Sequence, residues 1–136
     1  METKTQESVL IGTYFTEGAM GNFGMPGAPI AHFKLTVTPS AHTVSGIVEI
    51  TQAIPGPDSS IIVKNVKGTI HATGLGEYTQ VVAIEGEYYR TLPPPAIGTI
   101  TERFTANMAI DNNWNGRGNF TYGQHVITDV PVKSEN

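Results

Sequence analysis

Cysteine is absent from the 136 residues, leucine occurs four times and alanine ten times, and aromatic side chains make up 8%. Without cysteine there is no disulfide framework and no thiol chemistry, so the compartment has to be read from other features. The shortage of leucine and alanine excludes a helical bundle, because valine, isoleucine and threonine together supply 41 residues whose branched Cβ suits strands. No stretch keeps a helical period beyond two turns, which excludes a parallel βαβ sheet and with it most nucleotide-dependent enzymes. Basic residues are also few: 8 Lys and Arg stand against 12 Asp and Glu, for a net charge of −4. They are scattered singly apart from Lys64 and Lys67. Neither the basic face of a nucleic-acid binder nor the basic amphipathic stretch of a membrane-surface protein is present. No apolar run approaches a signal-peptide core or a membrane helix, so the expected location is the cytoplasm.

The 15 Gly and 9 Pro punctuate short apolar runs, the pattern of strands joined by turns. A first strand is expected over 8–16, ending at Gly18. The second, Ile30 to Thr38, alternates Phe33, Leu35 and Val37 with polar neighbours, and the third, Thr43 to Gln52, puts Val44, Gly46, Val48 and Ile50 on one face. These two read as a hairpin turning at Pro39 to His42. After the loop Pro55 to Ser60, a fourth strand over Ile61 to Thr73 has Ile62, Val66 and Ile70 in phase. A fifth, Tyr78 to Arg90, has Tyr78, Val82, Ile84 and Tyr88 in phase, with Glu85-Gly86-Glu87 as a candidate bulge. Pro93 to Pro95 forces an extended segment before a long sixth strand marked by Ile100, Glu102, Phe104, Ala106, Met108 and Ile110. Asn115-Gly116 is a strong hairpin signal leading to a seventh strand around Phe120 and Tyr122, and Val126 to Val132 is the eighth. The chain is therefore expected to be all-β: one domain over 1–136, an antiparallel β-sandwich or closed β-barrel of about eight strands. Residues 1–7 and 133–136 read as tails, and 18–29 as a Gly/Pro/Met-rich loop or arm.

Several groupings invite chemistry. Gly18 to Pro29 is four Gly-x-x triplets, too few for a collagen helix and without the lysine of a phosphate loop. It is either a plain connection or an arm that docks on a partner through Met20, Phe23 and Met25. Asp111, Asn113, Asn115 and Gly116 fit the first half of a calcium loop, but the twelfth position is Tyr122 and Arg117 brings positive charge, so an Asx-stabilised turn competes with a metal site. Trp114, the single Trp, sits among Asn113, Asn115 and Arg117, with Tyr122 following. Exposed, it would be a stacking platform for a sugar; buried, it would be a core anchor whose indole N–H finds an acceptor. His32, His42, His71 and His125 have no zinc spacing. Glu85 and Glu87 share a strand face and could act as an acid and base pair in a groove, though alternation more simply puts them in water.

A set of turns and strands carries a resemblance: Pro26-Gly27-Ala28-Pro29 before Leu35-Thr36-Val37, Val44-Ser45-Gly46 leading to Ile50-Thr51-Gln52-Ala53, Pro94-Pro95-Ala96-Ile97-Gly98, Trp114-Asn115-Gly116-Arg117-Gly118 with Phe120-Thr121-Tyr122, and Val130-Pro131-Val132-Lys133. From about Gly24 onward the chain resembles a family of small bacterial proteins known as a domain of unknown function. The resemblance implies a bacterial single-domain protein and carries over no active site. Three function classes follow. The first is a non-enzymatic binding module, presenting Trp114, Asn113, Asn115, Arg117 and Tyr122 to a glycan or a protein surface. The second is a self-associating homo-oligomer, pairing edge strands or the 18–29 arm. The third is an enzyme with Glu85, Glu87 or His32 lining a barrel interior. No cofactor is expected, and neither a nucleic-acid nor a membrane partner.

Overall fold

The computed structural model describes residues 12–56, 59–74 and 76–136. Its strands are β1 (Tyr14–Gly21), β2 (Ile30–Thr38), β3 (Thr43–Thr51), β4 (Ser60–Ala72), β5 (Gln80–Thr91), β6 (Thr99–Ile110), β7 (Gly116–Tyr122) and β8 (His125–Ser134). Each pairs antiparallel with its neighbour in sequence, and β8 returns to β1, so the sheet closes into an eight-stranded barrel. No helix among the described residues is long and apolar enough to cross a membrane.

Eight strands enclose a space just wide enough for side chains to fill. Phe33, Phe104 and Phe120 lie inside with Met20, Leu35, Ile50 and Met108, all fully buried. Outward positions carry Glu17, Lys34, Glu49, Lys67 and Arg103 together with the exposed Phe15, Ile47, Ile62 and Val81, so the strands alternate an apolar inner face with a mixed outer one. The filled interior leaves Glu85, Glu87 and His32 on outward faces. They do not line a barrel pocket.

Two strands carry an extra residue, and both change the expected phase. Between the pairs Gly46–Val66 and Val48–Val63, β3 spends one residue where β4 spends two, Lys64 and Asn65. Val63 and Val66 therefore both point inward, and Ile62, expected in the core, is 51% exposed. Similarly, Thr128 and Asp129 of β8 oppose the single Asn119 of β7, with Asp129 at φ 53. The expected bulge at Glu85-Gly86-Glu87 does not form, since β5 pairs with β6 in unbroken register from Gln80 to Thr91.

The segment 18–29 is not a loop throughout, because Gly18 to Gly21 completes β1 with Met20 buried in the core. Its glycine content reflects packing: a Cβ on Gly18 would lie 2.5 Å from Phe33 Cζ and 2.6 Å from the Lys133 carbonyl oxygen. Residues 133–136 are not a tail either. Glu135 N–H donates to the Glu17 carbonyl, Asn136 Oδ1 accepts from Glu17 N–H, and Asn136 Nδ2 donates to the buried Thr16 hydroxyl. The reading of 1–7 as a tail, and the expected first strand up to Ile11, lie outside the described residues. Gly68 shows the same close packing as Gly18, since a Cβ there would overlap the carbonyl oxygen of Ala83 on β5. Gly68→Ala should accordingly lose about 1–3 kcal/mol in a denaturant titration. Gly24→Ala, where a Cβ meets open space, should leave the midpoint unchanged.

Candidate functional site

The two ends of the barrel differ. At one end, the β6–β7 connection turns Trp114 inward, where it is 3% exposed, packs 5.8 Å from the Phe33 ring and donates its indole N–H to the Tyr14 hydroxyl at 3.0 Å. The turn is built by Asp111, whose Oδ1 accepts the backbone N–H of both Asn113 and Asn115 at 2.8 and 3.0 Å. Trp114 itself sits at φ 64, a left-handed geometry costing about 1–2 kcal/mol, which burial of the indole offsets. The ring is therefore the anchor of a closed end and offers no face to a sugar.

The neighbours expected to join it in a site have other work. Asn115 Oδ1 accepts from the Ser134 backbone, tying the turn to β8. Arg117 clamps the β8 bulge, with Nε on Asp129 Oδ1 at 2.7 Å and a terminal nitrogen on the Asp129 carbonyl at 2.6 Å. Asp111 is committed to the turn, so Asp111, Asn113 and Asn115 form an Asx turn rather than an assembled calcium loop. No three His, Asp or Glu among the described residues converge as metal ligands. Tyr122 lies at the far end of β7, about 20 Å along the strand from Trp114. Of the expected partner contacts, Met20 is core, Phe23 is 38% exposed with Lys133 Nζ 4.9 Å above its ring, and Met25 is exposed in the turn after β1. Glu85 pairs with Arg103 on the outer face. His32 holds the Thr51 hydroxyl at 3.2 Å.

The other end is open. A recess of about 460 Å³ is lined there by Ile61, Tyr88, Arg90, Ile100, Glu102 and Tyr122, among others. It exists because two inward-facing rows change chemistry near their ends. β5 places Val82 and Ile84 in the core and then Tyr88 and Arg90 at the mouth, while β6, read backwards, places Ile110, Met108, Ala106 and Phe104 in the core and then Glu102 and Ile100. Tyr88 donates its hydroxyl to Glu102 Oε1 at 2.7 Å, and Arg90 approaches Glu102 Oε2 at 3.5 Å, so both carboxylate oxygens are engaged. Tyr122 stacks on His125 at 4.6 Å and closes another wall. Burial pushes the Tyr88 phenol well above its ordinary value of 10, and the hydrogen bond and charge of Glu102 push it further against the opposing charge of Arg90.

A family model described as a domain of unknown function, DUF1842, matches residues 11–126. The chain belongs to this family. Comparison with curated proteins finds no match. The residues named at the open end of this DUF1842 barrel all fall within the matched span.

Arg90 and Glu102 were not among the residues expected to form a site, although the sequence carried a signal for them. Glu102 stands in phase with Phe104, Ala106, Met108 and Ile110, and Arg90 extends the phase of Val82, Ile84 and Tyr88. A charge continuing an apolar inward row marks the point where a core becomes a mouth.

Trp114→Ala in this DUF1842 chain should lower stability by about 3–5 kcal/mol, read as a shift of the urea midpoint, because it removes a core plug. Alkaline titration followed by tyrosinate absorbance tests the mouth. Tyr88, together with Tyr14, whose burial outweighs its bond from Trp114, keeps its proton in the native state where the unfolded chain releases it. Their stabilising contribution is complete below pH 10 and falls as pH rises above 10. Glu102→Gln should bring the onset of one tyrosine's ionisation back toward 10.

Proposed function

We propose that the protein is a non-enzymatic binding module that takes a small ligand, an apolar body with one polar or charged head, into the open end of the barrel. The observation that carries this reading is the Tyr88–Glu102–Arg90 group standing at the end of two otherwise apolar rows, at one end of a barrel whose other end Trp114 plugs. Ile61, Ile100 and the Tyr122 ring offer the apolar wall, and the carboxylate–guanidinium pair fixes the orientation of the head. The recess volume falls within the usual range for small-ligand sites, about 300–1,000 Å³. A glycan is the second reading for the same recess, with its apolar face on Tyr122 and its several hydroxyls toward Glu102 and Gln124, at the end opposite Trp114.

The chemistry favours binding over turnover. Glu102 is the one carboxylate among the residues lining the recess, so the paired carboxylates of glycoside hydrolysis are not assembled there. The Tyr88 phenol holds its proton and is a donor rather than a base.

Titration with 1-anilinonaphthalene-8-sulfonate, an aromatic body with an anionic head, tests the reading. Saturable one-to-one fluorescence enhancement is expected, weakened at least about tenfold by Ile100→Glu at the mouth and unchanged by Phe15→Ser on the outer wall. Emission of the single Trp, far from the mouth, checks that each variant is folded. Enhancement that Ile100→Glu leaves intact, or no saturable enhancement at all, removes the open end as the binding site.

A further inference from the structure

The outward side chains of β4, β5 and β6 come together on the wall of the barrel near the last β4–β5 pair, Lys67–Glu85. On β5, Glu85, Glu87 and Tyr89 follow one another on the outer face, about 6.7 Å apart along the strand. The register sets Arg103 of β6 directly opposite Glu87, yet its guanidinium leans across to Glu85. On β4 the bulge leaves both Lys64 and Asn65 exposed, which is how an inserted residue re-aims a side chain. Beneath them the strands stay in contact: a Cβ on Gly86 would come 2.8 Å from Val63 Cγ1 and 2.9 Å from the Asn65 carbonyl oxygen. Main chain therefore makes a floor here, and above it lies an outer recess of about 470 Å³ lined by Asn65, Lys67, Glu85, Glu87, Tyr89 and Arg103.

The groups around this floor are largely unspent. Glu85 and Arg103 satisfy each other, but among the described residues Asn65, Lys67 and Glu87 make no side-chain hydrogen bond or ion pair, and the Tyr89 ring is 80% exposed. Two cations face two carboxylates, so no net charge is on offer to an ion. A single charge pair in water contributes only about 1 kcal/mol, and salt screens it. An apolar ligand would stay largely in water on so open a wall. A neutral ring with a flat apolar face and hydroxyls at its rim meets what is present: Glu87 accepts, Lys67 donates, the Asn65 amide does both, and the phenol ring stacks.

We propose that this outer recess binds the pyranose ring of a neutral saccharide, stacked on Tyr89 with its hydroxyls held by Glu87, Lys67 and Asn65. The Arg103 guanidinium, drawn aside to Glu85, leaves the Glu87 carboxylate open to the sugar. This is a second site, beyond the small-ligand reading of the open end, and the two recesses share no lining residue.

The test is an array of neutral and anionic saccharides, followed by calorimetric titration of the strongest neutral hit as the free sugar. Affinity should be unchanged between about 0.1 and about 1 M salt, fall at least about tenfold in Tyr89→Ala and in Glu87→Ala, and stay within about threefold of wild type in Tyr89→Phe, which keeps the ring. Phe15→Ala, which removes an equally exposed ring that lines neither recess, should change nothing. Emission of the single Trp checks that each variant is folded. An array without a neutral hit overturns the proposal, as does binding that salt abolishes or that survives Tyr89→Ala. Binding lost in Ile100→Glu but kept in Tyr89→Ala also overturns it, and assigns the sugar to the Tyr122 end. Titration of Tyr89→Ala with 1-anilinonaphthalene-8-sulfonate keeps the two readings separable, because that substitution leaves the open end intact.

Discussion

The ring is held shut between its first and last strands by three residue pairs, Gly18–Ser134, Ala19–Lys133 and Met20–Val132, and everything else in the molecule presumes that closure. A ladder of three pairs is short for a joint that has to turn an open sheet, with two edges to protect, into a barrel with none. The final residues reinforce it. Asn136 bonds both the Glu17 backbone and the buried Thr16 hydroxyl, and Glu135 adds one more main-chain bond to β1. The absence of bulk at Gly18 lets Phe33 reach across to the joint from inside, so closure and core packing are one condition seen from two sides.

Closure also explains why the strands are uneven. Bringing eight strands around a filled core requires sharp local bending, and the two bulges, at Lys64-Asn65 and Thr128-Asp129, supply it on β4 and β8. The second is fastened by side chains: Arg117 holds Asp129 twice, and Asn119 accepts the Asp129 N–H while donating to Asn107. The first has no comparable clamp among the described hydrogen bonds, and the paired register of β4 with β5 ends beside it, at Lys67–Glu85. The polar residues around Asn115-Gly116, which as a sequence look like a binding loop, serve the architecture, while the less decorated side of the barrel carries the recesses.

This accounts for what the sequence disclosed and what it hid. Period-two alternation over Phe33, Leu35 and Val37, and over Val44, Val48 and Ile50, located β2 and β3 within a residue or so, and turn residues separated the eight strands. Alternation cannot reveal a bulge, because an inserted outward residue preserves composition while shifting phase; hence Ile62 was assigned to a core that Val63 occupies. Gly18 to Gly21 looked like loop for a related reason, since glycine marks both a turn and a place where a neighbouring side chain needs room. Barrel and sandwich share the same local pattern, and only the return of β8 to β1 distinguishes them.

The site was misplaced by the same ambiguity. Amides beside a lone tryptophan suit a sugar and equally suit a tight turn that buries the ring, and no local feature separates the two, because the Tyr14 hydroxyl that decides the matter lies 100 residues away in sequence. The mouth was legible in a different form. A core row that ends in Tyr88 and Arg90, facing one that ends in Glu102, has to be leaving the apolar interior, since a carboxylate and a guanidinium are too costly to desolvate at the centre of a filled barrel and affordable at its rim. Reading where a buried row turns polar, rather than where polar residues cluster, finds the open end of a barrel of this kind from sequence.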